Sequence, residues 1–172
     1  MRRGLPFVLV AVVLSACGSG SGSSSSAQTA AQQLPAIARA RTGHPGDLSA
    51  RQGRSATRAC GPIARLPAVP MSSDVTTTVA VAGTLEQPTL ATAAQLDRIA
   101  RAPRRVNRSL LDLAQAFRQL AEAYTALATV SHGNPKVVAA LQQRALATAR
   151  VVALEARALA LHACVPRLPK GG

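Results

Sequence analysis

The chain has 172 residues, 20 of them Lys or Arg against 7 Asp or Glu, for a net charge of +13, with two Phe, one Tyr and no Trp. That length holds one domain of ordinary size plus tails and excludes two full domains with separate cores. The charge alone admits nucleic acid, anionic lipid or an acidic polymer as partner, while the shortage of rings argues against single-strand nucleic-acid recognition, which wants stacking surfaces.

At the N-terminus, Met1-Arg2-Arg3 is a short basic start, Leu5 to Leu14 is an apolar run, and Leu14-Ser15-Ala16-Cys17 follows directly. This order reads as a secretory signal, and the apolar run is about half of the ~20 residues a bilayer crossing needs. Gly4 and Leu5-Pro6 follow the Arg pair where the twin-arginine route expects apolar residues. Leu14-Ser15-Ala16-Cys17 has the lipobox pattern of an aliphatic residue, two small residues and cysteine, and in this the chain resembles a bacterial lipoprotein precursor. The resemblance covers the first 17 residues. It implies a signal peptide over 1–16, lipid on the Cys17 thiol (diacylglyceryl, with palmitate-type acyl chains), and a mature chain held to a membrane outside the cytoplasm, in the cell envelope.

Without residues 1–16 the charge falls to +11, because Arg2 and Arg3 are lost. Of the 156 residues that remain, 34 are Ala and only 32 are Val, Ile, Leu or Phe, close to the one-fifth level below which charged chains tend not to fold. The core is therefore thin, and the alanine favours packed helices. Gly18 to Ser26 is a Gly/Ser tether, completing a lipidated segment over 17–26. Residues 27–70 mix short helical patches, such as Leu48 to Ala59, with many Pro and Gly, and read as a partly ordered arm.

With Cys17 assigned to lipid, Cys60 and Cys164 have one intramolecular pairing, and an exported chain favours making it. The resulting loop of about 100 residues is worth up to roughly 4 to 5 kcal/mol in the chain-entropy view. A zinc site would need further ligands at compact spacing, and only His162 is locally available.

A helical bundle is expected over 71–164, with a tail over 165–172. Val106, Leu110, Leu113, Phe117, Leu120, Tyr124 and Leu127 alternate steps of three and four, a coiled-coil-like seam. The same register runs back through Ile99, Leu96, Thr92, Thr89, Leu85, Ala82, Thr78 and Val75. It breaks at Ala102-Pro103. Ser72, Ser73 or Asp74 can cap the earlier helix, and Pro88 either kinks it or marks a second start. His132-Gly133-Asn134-Pro135 combines a C-terminal glycine, an N-cap asparagine and a proline at the first helical position. The last helix is expected to reach about Ala163 on a stripe from Val138 to Leu159, widened by Val151, Leu154, Ala158 and Leu161. The expectation is an all-α, up-down-up three-helix bundle over about 72–101, 104–131 and 135–163, with the N-terminal arm tied by the disulfide. The wide face of its third helix leaves room for self-association.

The search for chemistry finds little. Asp97, Asp112 and Glu122 each have an arginine four residues away and read as helical ion pairs. Glu155 has no basic residue at three or four positions and lies on the apolar stripe, with His162 two turns later. Such a pair can act as acid and base, although a buried Glu more often takes an arginine from a facing helix. No Glu-x-x-His pair, phosphate loop, nucleophile elbow or haem motif occurs. Neither metal, cofactor nor enzyme activity is expected.

Arg98, Arg101, Arg104, Arg105 and Arg108 place five guanidinium groups in 11 residues, with Asp97 the nearest acid. Arg104 and Arg105 would stand at a helix N-terminus, where positive charge opposes the helix dipole. Bundle topology would add His162, Arg167, Arg58 and Arg65 to the same pole. The expected function is that of a lipid-anchored, non-catalytic binding or scaffold module, contacting lipid head groups, an anionic envelope polymer or an acidic protein through these arginines. Nucleic acid is not expected as a partner. The alternative is a small-ligand carrier or enzyme using Glu155 and His162.

Overall fold

The structure, a computed structural model, describes residues 47–102, 106–130 and 134–169. These residues form four helices, α1 (Ala50–Ala59), α2 (Val75–Ala100), α3 (Arg108–Ala128) and α4 (Pro135–Ala158), with 3-10 turns at Ile63–Arg65 and His162–Cys164. No strand occurs among the described residues.

Each helix begins where a side chain satisfies the free N–H groups of its first turn. Ser49 caps α1, its Oγ accepting from Gln52 N at 3.2 Å while Gln52 Oε1 accepts from Ser49 N, a reciprocal capping box. Of the three cap candidates for α2, Asp74 takes the role, accepting from Thr76 N at 3.1 Å and Thr77 N at 3.2 Å. Its carboxyl is held below the ordinary value, first by the Thr77 hydroxyl and then by the Thr77 and Thr76 backbone N–H groups. Asn107 caps α3 by accepting from Leu110 N, and Asn134 caps α4 by accepting from Lys136 N, with Pro135 in the first helical position.

The three-and-four stepped seam is the core. Thr78, Ala82, Leu85, Thr89, Thr92 and Leu96 of α2 are buried, as are all six α3 residues from Leu110 to Leu127. α3 spans Arg108–Ala128 rather than 104–131: the Asn107 side chain takes the cap, so the first turn does not begin at 104, and Val106, ahead of the cap, departs from the seam at 56% exposure. α2 runs unbroken through Pro88, which lacks the N–H that Thr84 C=O would accept. Thr84 is exposed, so water can take that carbonyl. The buried Thr89 hydroxyl donates to Leu85 O at 2.6 Å instead of standing free.

α3 packs on both α2 and α4. Between α2 and α3 the connection is closed by Asn107 N donating to Ala100 O at 2.9 Å. α4 reaches the start of α2 through Gln142, whose Nε2 donates to Ser72 O at 2.7 Å and to Thr78 Oγ1 at 3.1 Å. α4 is long and apolar enough to cross a membrane by length and composition. Much of its apolar surface, from Val138 through Val152 to Ala156, is instead covered by the fold.

α4 ends at Ala158 rather than near Ala163. Ala160 adopts φ 57°, Leu161 N donates to Ala156 O at 2.8 Å and Ala160 N to Arg157 O at 2.9 Å. These are the two bonds of a Schellman ending, here with alanine in the left-handed position that glycine usually fills. The apolar run continues past this point because Leu161 folds back into the core, 2% exposed. Ala160→Gly relieves the left-handed strain at a small cost in unfolded-chain entropy and is expected to stabilise the fold by about 0.5 to 1 kcal/mol. A urea midpoint equal to or below that of the parent would show that the turn is not under such strain.

The segment read as a partly ordered arm is, from Leu48 onward, part of the folded unit. Ala56, Ala59, Cys60, Ile63 and Val69 join the core cluster. Thr92 Oγ1 of α2 donates to Ala59 O at 3.5 Å, and Cys60 and Cys164 form the disulfide with Cα atoms 4.8 Å apart. An alanine face carries almost no hydrophobic signal in a sequence, yet it lets backbones approach closely, and that proximity is what this docking uses.

Candidate functional site

The arginine cluster surrounds the α2–α3 connection. The start of α1 is drawn to the same place, since Asn107 Nδ2 donates to Asp47 O at 2.7 Å and Ser109 Oγ to Asp47 Oδ2 at 3.1 Å. Arg98, Arg101 and Arg108 are exposed here, while Arg104 and Arg105 lie outside the described residues, as does Cys17.

These arginines are not equivalent. Arg101 Nε donates to Asp97 Oδ2 at 2.8 Å and its Nη2 to Oδ1 at 3.3 Å. Arg118 reaches across from α3 to the same carboxylate, Nη2 to Oδ1 at 2.9 Å, and also donates to Gln115 Oε1 at 3.1 Å. Hydrogen bonds from Arg101 and then Arg118 hold the Asp97 carboxyl below its ordinary value, and the bond to Asp97 raises the pKa of the Arg101 guanidinium. Asp97 therefore has the helical partner that its spacing implies, plus a second one from α3. Arg118, by contrast, turns away from Glu122. Neither Glu122 nor Asp112 has an ion pair among the described residues. Among the described residues, Arg98 Nε donates only to Ala94 O, at 3.4 Å, and Arg108 has no side-chain hydrogen bond, so these two are the described members most available to an anion.

Arg167 is not gathered at this end. With Ile63, Leu66, Pro67 and Pro166 it lines a shallow recess against Leu85, Thr89, Phe117, Leu120 and Tyr124, and Arg65 belongs to the 3-10 turn that supplies Ile63 to it. Leu85 is 15 residues from Ala100, about 22 Å along the helix, which puts this recess near mid-bundle. The recess offers a cavity volume of about 10 Å³, room for one water. Phe117 and Tyr124 are buried in the seam, and burial pushes the Tyr124 phenol pKa up.

Glu155 and His162 are not brought together. The Schellman turn removes the helical relation between them; His162 is exposed, and no hydrogen bond or ion pair joins the two. Glu155 is 5% exposed, and its Oε2 is buried without a hydrogen-bond partner. Burial first, and the Asp112 carboxylate second, raise its pKa from the ordinary value. No arginine from a facing helix takes it. Among the described residues, no three His, Cys, Asp or Glu side chains are grouped as a metal site.

The sequence reading passed over Arg51 and Arg54. With Arg58 they occupy the exposed side of α1, and none of the three has an ion pair among the described residues. Their spacing of three and seven residues was a visible signal, masked by the treatment of the segment as an arm. No protein-family model, curated protein or solved structure matches this chain.

Proposed function

We propose that this chain is a lipid-anchored protein of the bacterial cell envelope, held through Cys17 and acting as a non-catalytic binding or scaffold module. The observation that carries the reading is the Cys60–Cys164 disulfide, because such bonds persist in oxidising compartments outside the cytoplasm and are rare within it. It supports the export implied by the N-terminal residues, and its pairing leaves Cys17 as the third cysteine, at the lipobox.

The long helices α2, α3 and α4 are proposed to run up, down and up. The closed Ala100–Asn107 connection and the Asp97–Arg118 bridge between α2 and α3 support this arrangement, as does the Gln142 contact between α4 and the start of α2. The α2–α3 end, with Arg98, Arg108 and the adjoining Arg104 and Arg105, is proposed to contact an anionic partner. Self-association through α4 remains compatible with the exposure of Leu154, at 61%. The separation of Glu155 from His162 gives the ligand-carrier alternative no assembled site.

Cys17→Ser is the direct test. The parent, expressed in a bacterial host, is expected to fractionate with membranes and to yield an N-terminal peptide beginning at lipid-modified Cys17 in mass spectrometry. The variant is expected to lose the modification and to accumulate uncleaved after Ala16. An unmodified Cys17 in the parent overturns the anchoring.

A further inference from the structure

The exposed face of α1 has a character that the arginine cluster at the α2–α3 connection lacks. At about 100° per residue, Arg51, Arg54 and Arg58 fall within a sector of roughly 60°. Ala56 lies about opposite and Ala59 to one side, both buried in the core. From Leu48 to Ser73 there is no Asp or Glu, and Asp47, just ahead of the helix, accepts from Ser109 Oγ at 3.1 Å through its carboxylate. Arg101, in contrast, shares a carboxylate with Arg118.

We infer that the Arg51–Arg54–Arg58 face of α1 docks on an anionic phospholipid surface. Three observations select that occupant. The face has no apolar or aromatic anchor, its exposed members being Ala50, Arg51, Arg54, Thr57 and Arg58, whereas protein partners are held by buried aromatic and aliphatic groups. The apolar side of α1 is consumed by the fold and disulfide, so the helix cannot insert into acyl chains as free amphipathic helices do. Attachment is then by charge alone, and guanidinium forks suit lipid phosphates. Finally, the face carries three exposed guanidinium groups with no ion pair among the described residues, the charge complement of a phosphate surface.

Each arginine near such a surface contributes roughly a fivefold gain in surface occupancy, and three together on the order of a hundredfold, fading as salt shortens the Debye length. The inference uses the proposed anchorage only to deliver α1, and the test separates the two. The full chain carrying a fluorophore at Thr57→Cys is reconstituted on phosphatidylcholine vesicles with or without about one third phosphatidylglycerol, both containing head-group quencher. Retention on neutral vesicles in high salt reads the anchor, and quenching reads the docking. Strong quenching is expected only with phosphatidylglycerol, with loss in Arg51→Gln/Arg54→Gln/Arg58→Gln and at 1 M salt. Arg144→Gln/Arg150→Gln/Arg157→Gln on α4, an equal change in net charge, is expected to leave it intact. If the anchor fails, sedimentation with anionic vesicles and its dependence on the α1 triple read the docking directly. Equal quenching on both vesicles, equal loss in both triples, or preferential capture of the α1 face by soluble polyglutamate overturns the inference.

Discussion

Cys60→Ala/Cys164→Ala is expected to lower the stability of the folded unit by about 2 to 5 kcal/mol, read as a fall in the urea midpoint. The bridge spans a separation of 104 residues, and cross-links over long loops remove the most freedom from the unfolded chain. Its native-state role is as local as its entropic role is global. Beyond the bridge, α1 and the following turn are held by Ala56, Ala59, Ile63 and Val69, by a long hydrogen bond from Thr92, and by the bonds from Asn107 and Ser109 to Asp47 just ahead of the helix. Both cysteines are fully buried, and alanine avoids leaving a hydroxyl unsatisfied there. Amide exchange in α1 is expected to accelerate more than in the centre of α3, because α1 buries only Ala56 and Ala59 whereas α3 buries Leu113, Phe117 and Leu120. An unchanged midpoint after reduction, with thiol titration confirming the open bridge, would show that packing alone secures the segment.

Glu155→Leu is expected to stabilise the protein at neutral pH by about 1 to 3 kcal/mol. A buried, unpartnered carboxylate oxygen pays its desolvation without a return, and replacing it by an apolar group removes that cost. The pH dependence has a definite sign. Burial and Asp112 raise the folded-state pKa of Glu155 above its ordinary value of 4.5, so the folded protein holds this proton more tightly than the unfolded chain. Its favourable contribution is complete below that ordinary value and is lost as pH rises through the raised one. Asp74 and Asp97 act oppositely and in a different window: their pKa values are lowered, so their contribution is present above the ordinary 3.8 and is lost as pH falls through the lowered values. Urea midpoints between pH 4.5 and 8 should therefore fall in the parent and flatten in Glu155→Leu. Parallel curves would mean that Glu155 finds a solvent or side-chain partner in solution.

Much of the fold was legible because its determinants are local. The three-and-four stepping that buries Leu110, Leu113, Phe117, Leu120, Tyr124 and Leu127 needs only the helical period, and the caps at Asp74 and Asn134 need only a side-chain oxygen beside free N–H groups, whereas the Asn107 cap, four residues past Pro103, was not expected. The cysteine pairing followed from there being two candidates once Cys17 was set aside. α1 was harder to see because alanine has little hydropathy, and the end of α4 because Leu159 and Leu161 stay apolar across a turn that reverses the backbone at Ala160. The site was less legible than the fold. Arg118 has Glu122 one turn away yet bonds Asp97 on another helix, a choice that depends on how α2 and α3 are rotated against each other.

By itself, the sequence determined the helical class, the core seam, the starts of α2 and α4 and the single reasonable disulfide, since periodicity, capping and cysteine count are properties of neighbouring positions or of composition. Only the tertiary structure decided that α1 joins the core with its arginines outward, that Asp97 draws Arg101 and Arg118 together, and that Glu155 is buried apart from His162 within range of the Asp112 charge. Those outcomes depend on helix rotation and on which side chains meet across 20 to 60 positions of chain, where electrostatics and burial act through space.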